Sequence, residues 1–294
     1  MADFFSGFWG YYISIITIIS IVGLIIFTIK YSSKGGGGTT DHVWDEDLRE
    51  MNNPLPRWWL NFFYITLVFS VVYLLLYPGL GGFAGTLGWS QKKQYDEEMQ
   101  AANDKYGPIF EQYLNQDLAK VAVNEDALLI GKRLFSTYCT TCHGSDAGGA
   151  RGFPNLRDDD WLFGNDLEVI KTTIMNGRQG IMPPWGGIIG NDNVIKVSEY
   201  VRSLGGQDID PANASRGKEV YDQYCFACHG VDGKGNQVIG APNLIDDIWL
   251  HGGSQKRIHE SIANGRQSMM PPHKEFLGEA KAHLLAAYVF SLSH

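Results

Sequence analysis

The sequence predicts a mainly α-helical chain, with two N-terminal transmembrane helices followed by two small helical domains in tandem. Three observations lead there. Two long apolar runs, 8–29 and 58 to about 80, fall within the first 90 residues, which hold only ten charges. The stretch Cys139-Thr140-Thr141-Cys142-His143 recurs 86 residues later as Cys225-Phe226-Ala227-Cys228-His229. The sequence around these motifs repeats as well, from Asn124 onward.

The first run, Phe8 to Ile29, is 22 uncharged residues dense in Ile. As a helix it is long enough to cross the ~30 Å hydrocarbon core of a bilayer. Trp9, Tyr11 and Tyr12 suit one interface, and Tyr31 with Lys30 and Lys34 the other. Met1-Ala2-Asp3 has no positive charge and no small-x-small cleavage site follows, so the run reads as an anchor rather than a signal peptide. A glycine run, Gly35 to Gly38, leads into the acidic segment Asp41 to Met51, read as helical. The second span runs from Trp58 to about Leu80, where Pro78-Gly79 stops it. Gly81-Gly82-Phe83-Ala84-Gly85 then forms an interfacial turn, with Trp89 at the headgroups. The loop between the spans carries Lys30, Lys34, Arg49 and Arg57, and the N-terminal tail carries no Lys or Arg. The positive-inside bias places that loop in the cytoplasm and both termini outside.

From Gln91 to Val123 the chain is charged and helix-prone, with Pro108 opening a second amphipathic stretch. The divisions are therefore 1–34 with the first span, the cytoplasmic loop 35–57, the second span and turn 58–90, a periplasmic connector 91–123, and repeats 124–207 and 208–294. From Gln91 onward 20 basic residues face 26 acidic ones, a net charge of -6 within the chain's -8. That argues against a nucleic-acid partner and suits a basic redox partner steered by charge.

The repeats match closely. Gly131-Lys132 pairs with Gly217-Lys218, Pro154-Asn155-Leu156 with Pro242-Asn243-Leu244, and Trp161-Leu162 with Trp249-Leu250. Asn176-Gly177-Arg178-Gln179 pairs with Asn264-Gly265-Arg266-Gln267, and Met182-Pro183-Pro184 with Met270-Pro271-Pro272. Helices are expected at Glu125–Tyr138, Asn193–Leu204, Ala214–Tyr224 and Gly278–Leu292. This is an internal duplication of one small domain.

The chain has four cysteines, all in the two motifs. C-x-x-C-H is the signature of c-type haem attachment. Two thiols three positions apart can both add to the haem vinyl groups, and the next His reaches the iron. Two covalent haems c are therefore expected, on Cys139 and Cys142 and on Cys225 and Cys228. His143 and His229 are the proximal iron ligands by motif position. Covalent haem c is attached outside the bacterial cytoplasm, in agreement with the charge bias of the loop. A domain this small has little core of its own without a porphyrin.

Each repeat resembles the class I cytochrome c fold, a few helices around one haem. That resemblance implies a distal Met in a loop before the last helix. Met182 and Met270 occupy matched positions, whereas Met175 and Met269 are not shared between repeats and read as packing residues. Met/His ligation raises the reduction potential. The resemblance also implies that the Pro154 and Pro242 carbonyls accept the proximal His Nδ1–H. Arg178 and Arg266, four residues before each Met, are candidates for haem propionates, and Trp161 and Trp249 for pocket walls. The other histidines, His42, His251, His259, His273, His283 and His294, lack a motif; any could be a surface residue, and none is needed as a ligand.

The two spans, the connector and the tandem motifs together resemble the di-haem subunit (subunit III) of cbb3-type cytochrome oxidases. The most specific carriers are Asp45-Glu46-Asp47-Leu48 and Asn53-Pro54-Leu55-Pro56-Arg57-Trp58-Trp59. The resemblance implies a multi-pass protein of the bacterial inner membrane with periplasmic haem domains. It implies electron transfer from a soluble or membrane cytochrome c donor toward a mono-haem subunit and a haem–copper catalytic subunit, which reduces oxygen to water and pumps protons. This chain would be part of the oxidase while carrying no oxygen-reducing site of its own. The alternatives are a membrane-anchored di-haem cytochrome of another respiratory complex and, in a different class, a di-haem peroxidase.

Overall fold

A computed structural model describes residues 7–32, 37–44 and 46–294 of the chain. The tail Met1-Ala2-Asp3, Lys34, Gly35, Gly36 and Asp45, used above, lie outside the described residues. The chain divides into two compact units, Met1–Lys105 and Tyr106–His294.

In the first unit, α1 (Gly7–Tyr31) and α2 (Arg57–Leu76) are long and apolar enough to cross a membrane. Their Ile, Phe and Val side chains lie mostly exposed, as a helix surface meant for lipid would be. The Ser14 hydroxyl, early in α1, donates to the Leu80 carbonyl in the turn after α2 at 3.0 Å. The start of α1 thus meets the end of α2, and the two helices run in opposite directions. The second span ends at Leu76 rather than near Leu80. Pro78 disfavours helical backbone in the residue before it, and Tyr77 is extended at φ -113° and ψ 158°.

The acidic segment after the glycine run is not the helix its charges suggested. It is an antiparallel hairpin of β1 (Thr39–Trp44) and β2 (Leu48–Met51), with Val43 opposite Arg49 and Trp44 opposite Leu48. Thr39, Thr40, Val43 and Trp44 are β-branched or aromatic and prefer strands. Glu46 in the connecting turn takes a left-handed φ of 66°, the conformation a three-residue hairpin loop uses. The break expected at Pro108 is also absent: α3 runs from Gln91 to Leu114 with Pro108 inside it.

The second unit holds the repeats. After α4 (Leu118–Val121) come α5 (Glu125–Tyr138), α6 (Thr140–His143), α7 (Leu167–Asn176), β3 (Arg178–Met182), α8 (Gly186–Ile189) and α9 (Asn191–Leu204). The second repeat follows as α10 (Pro211–Tyr224), α11 (Phe226–His229), α12 (Gln255–Asn264), β4 (Arg266–Met270), α13 (Lys274–Leu277) and α14 (Glu279–Phe290). The N-termini of α5 and α10 are capped. The Asn124 side chain accepts from the Ala127 N–H, and Asp210 accepts from the N–H groups of Ala212 and Asn213 with Pro211 at the first helical position.

The packing departs from one self-contained globule per repeat. α14 packs on α5 and α7, while α9 packs on α10 and α12. One buried core joins Phe135, Ile170 and Ile174 to Leu284, Leu285 and Val289. The other joins Val194, Val197 and Val201 to Tyr221, Ile258 and Ile262. The last helix of each repeat has crossed to the other. Matched glycines allow both crossings. A Cβ on Gly131 of α5 would fall 2.6 Å from the Leu284 carbonyl oxygen. One on Gly217 of α10 would meet the Lys196 carbonyl of α9. The crossover itself is the antiparallel ribbon of β3 and β4, in the register Arg178 to Met270, Gly180 to Ser268 and Met182 to Arg266. Phe110, Tyr113, Leu118 and Val121, from the end of α3 and from α4, join the first core.

Candidate haem sites

Each motif sits on a short helix directly after a longer one: α6 follows α5, and α11 follows α10. The hinge residues Cys139 and Cys225 cap both helices, so the two thiols and the His fall within about one turn. The four cysteines are free thiols. Burial pushes Cys139 and Cys225 up to about 11, each with a smaller contribution from the second thiol of its motif. His143 Nδ1 lies 3.1 Å from the Pro154 carbonyl, and His229 Nδ1 lies 3.1 Å from that of Pro242. With Nδ1–H donating to the carbonyl, Nε2 keeps its lone pair for a metal. Burial lowers the pKa of both imidazoles, which favours the neutral, metal-binding form.

Around the first motif lies a cavity of about 500 Å³. Cys139, Cys142, His143, Trp161 and Arg178 line it, and so does Met270 from the other repeat. Met182 packs instead against the second core, together with Cys225 and Trp249. The ribbon explains this exchange. Arg178, Gly180 and Met182 share its buried side, as do Arg266, Ser268 and Met270. Cross-strand pairing therefore sets Arg178 beside Met270 at one end and Met182 beside Arg266 at the other. Gly177 and Gly265, before the two arginines, have φ of 70° and 72°, and the backbones of Met270 and Met182 occupy the space where their Cβ atoms would stand.

The arginines are held rather than free. Arg178 Nε donates to Thr173 Oγ1 at 2.9 Å and its guanidinium lies 4.8 Å over the Phe163 ring. Arg266 Nε donates to Ser261 Oγ at 2.8 Å. The Trp161 indole N–H is buried in the wall of the first cavity without a hydrogen-bond partner among the described residues. A mostly apolar cleft with an unpaired N–H, a held guanidinium, a thioether and an imidazole Nε2 fits a porphyrin with carboxylate substituents and a low-spin iron. Trp249 packs against the second core.

Motif reasoning missed three histidines. His251 and His273 line the first cavity, and His283 is buried in α14. Alignment of the repeats offers a partial signal, since His251 stands opposite Phe163 and His273 opposite Trp185. Met269, read as a packing residue, is 72% exposed on the outer side of the ribbon, because odd-numbered strand positions there face away from the core. Met175 packs against the first core.

Known proteins match along nearly the whole chain. The family model for the N-terminal domain of cytochrome oxidase-cbb3, FixP, matches residues 36–84. The model for cytochrome c oxidase, cbb3-type, subunit III matches twice, at 126–201 and 212–289. The cbb3-type cytochrome c oxidase subunit CcoP of Rubrivivax gelatinosus is 44% identical over 297 residues, covering 100% of this chain and 97% of the relative. Subunit CcoP of Cereibacter sphaeroides is 38% identical, covering 86% of this chain and 94% of the relative. Subunit FixP of Azorhizobium caulinodans is 38% identical, covering 88% and 94%.

Proposed function

Because the chain belongs to the family of cbb3-type cytochrome c oxidase subunit III, CcoP or FixP, and is therefore a cytochrome c subunit of a multi-subunit oxidoreductase, we propose that it carries two covalent haems c and relays electrons between them. The haems supply reversible one-electron chemistry at iron. Cys139 and Cys142 would hold the first through thioether bonds, and Cys225 and Cys228 the second. His143 and Met270 would hold the first iron, and His229 and Met182 the second. The observation that carries this reading is the ribbon, which sets the methionine of each repeat in the site of the other repeat's motif.

The rest of the chain serves that relay. The Pro154 and Pro242 carbonyls fix the tautomer and orientation of the histidines. Arg178, Arg266 and the Trp161 N–H would hold propionates, a charge-assisted interaction for the arginines. With His143 and Met270 holding one iron and His229 and Met182 the other, the haems would supply outer-sphere electron transfer rather than oxygen binding. The donor is a cytochrome c, and the acceptors are the mono-haem and haem–copper catalytic subunits of the oxidase. Apolar α1 and α2 anchor the chain as a two-span protein of the bacterial inner membrane, with loop 35–57 cytoplasmic and the repeats periplasmic.

Two experiments test this. Purification through a tag on this chain should recover haem b and copper with haem c, and the product should consume oxygen with reduced cytochrome c. Two haems c alone, from an intact complex without oxygen uptake, would assign the chain to another redox complex. The crossed ligands are read from the methionine-to-iron charge-transfer band of a Cys225→Ala/Cys228→Ala variant, which retains only the first haem. Met270→Ala should abolish the band in that background and Met182→Ala should spare it. The same pair of substitutions in a Cys139→Ala/Cys142→Ala background should give the opposite result. Loss of the first haem's band with Met182→Ala would restore ligation within each repeat.

A further inference from the structure

The two haem sites are built on one plan, and Asp160 departs from it. Asp160 lines the cavity of the first motif. It also lines a second, smaller cavity of about 290 Å³ between the repeats, walled by Arg151 and Asp158 on one side and by Ile248 and Trp249 on the other. In the second repeat the matched residue, one before the tryptophan, is Ile248. One site thus has a titratable carboxylate in its wall where the other has a hydrocarbon.

Three carboxylates meet there. Asp158 accepts from the Asp160 N–H at 3.2 Å. Asp246, from the opposite repeat, accepts from the Asn243 side chain at 2.7 Å and from the Ile248 N–H at 3.1 Å. The Asp160 carboxylate has no such donor among the described residues. The other charged or titratable groups around it are Arg151 in the small cavity, and Tyr138, Cys139, Cys142, His143, Arg178, His251 and His273 across the larger one. Burial pushes the Asp160 carboxyl up to about 6, with the charges of Asp246 and Asp158 adding to the effect. Its proton is therefore exchanged near pH 6.

We propose that Asp160 couples electron uptake at the first haem to proton uptake, and that the second haem lacks this coupling because Ile248 stands at the matched position. The proposal rests on the haem placement argued above. Ferric haem carries one more positive charge than ferrous haem. An ionised carboxylate in the wall therefore favours the ferric state and lowers the potential, while a protonated one does not. When the oxidase's cytochrome donor is oxidised by one electron in favour of the first haem, the loss of positive charge there would let the Asp160 carboxylate take one proton from solvent and become the acid. The iron gains the electron, the carboxylate gains the proton, and no bond is broken. Asp160 acts on the potential through its charge in the cavity wall.

The test is a spectroelectrochemical titration of the haems c in the intact purified oxidase between pH 5 and 8, for the wild type, Asp160→Asn and Asp160→Ile. In the wild type, one haem c component should lose up to a tenfold factor in its reduction equilibrium per pH unit, about 59 mV for one electron, in a window near pH 6. Both variants should flatten that slope and leave the potential at pH 8 above the wild-type value. An unchanged slope in Asp160→Asn, or no slope in the wild type, overturns the proposal while the haem stain of the chain still shows both haems. Fewer than two covalent haems on the chain overturns the haem placement and the proposal with it.

Discussion

Glu199 shows how much a single residue holds in this fold. Its side chain is 3% exposed. Both its carboxylate oxygens accept from Arg202 Nη1, at 2.9 and 3.1 Å, and it also accepts from Gln255 Nε2 at 2.8 Å and from the Asp210 N–H at 3.0 Å. It therefore ties α9 of the first repeat to the joint between the repeats and to α12 of the second. The matched residue in α14 is Ala287, buried in the other core. Removing one partner of a buried pair typically costs about 3–5 kcal/mol. Arg202 keeps 17% of its side chain exposed and can turn to solvent, so Glu199→Ala should cost about 2–3 kcal/mol. The shift in denaturant midpoint measures this, and Glu199→Gln, which retains an acceptor, should lose less. The repeat alignment made the C-x-x-C-H and Met-Pro-Pro positions easy to find because both repeats carry them. Glu199 was invisible to it, because the alignment sets it opposite an alanine.

At the scale of elements, the crossings of α5 with α14 and of α10 with α9 depend on glycine. A methyl group on Gly217 meets the backbone of α9, which cannot give way as a flexible side chain would. Overpacking of this kind costs about 1–3 kcal/mol. Gly217→Ala should therefore destabilise the lobe that holds Cys225–His229, and Gly131→Ala the lobe that holds Cys139–His143. The denaturant midpoint measures each effect, and an unchanged midpoint in either variant would count against the close crossing at that glycine. The helices themselves were legible in the sequence, with α5 at its expected bounds. The hairpin at Thr39–Met51 was not, because its acidic residues masked the strand preference of Val43 and Trp44, and Val43, Trp44, Leu48 and Met51 are all exposed.

For the whole second unit, the exchange makes the repeats interdependent. Each core takes its closing helix from the other repeat, and both chain crossings pass through one ribbon. Neither lobe can open without removing a wall of the other. Denaturation should accordingly show one transition, with helix content and both haem bands changing together. Two separate transitions would mean that the lobes are independent in spite of the shared ribbon.

The sequence by itself determined the apolar helices, the duplicated domain, both C-x-x-C-H motifs, the Pro carbonyls facing their histidines, and the family. The first three follow from local pattern and spacing, which residue chemistry dictates directly, whereas the Pro carbonyls and the family followed from resemblance to cytochromes c and to cbb3-type subunit III. Only the tertiary structure decided which methionine meets which motif. The repeats carry the same signals at matched positions, so α9 and α14 present similar apolar faces to either α5 or α10, and one-dimensional pattern cannot choose between them. The choice was made by the β3–β4 register, which sets Met270 beside Arg178 and Met182 beside Arg266, and by the close approaches at Gly131 and Gly217 that lock each helix into the opposite lobe.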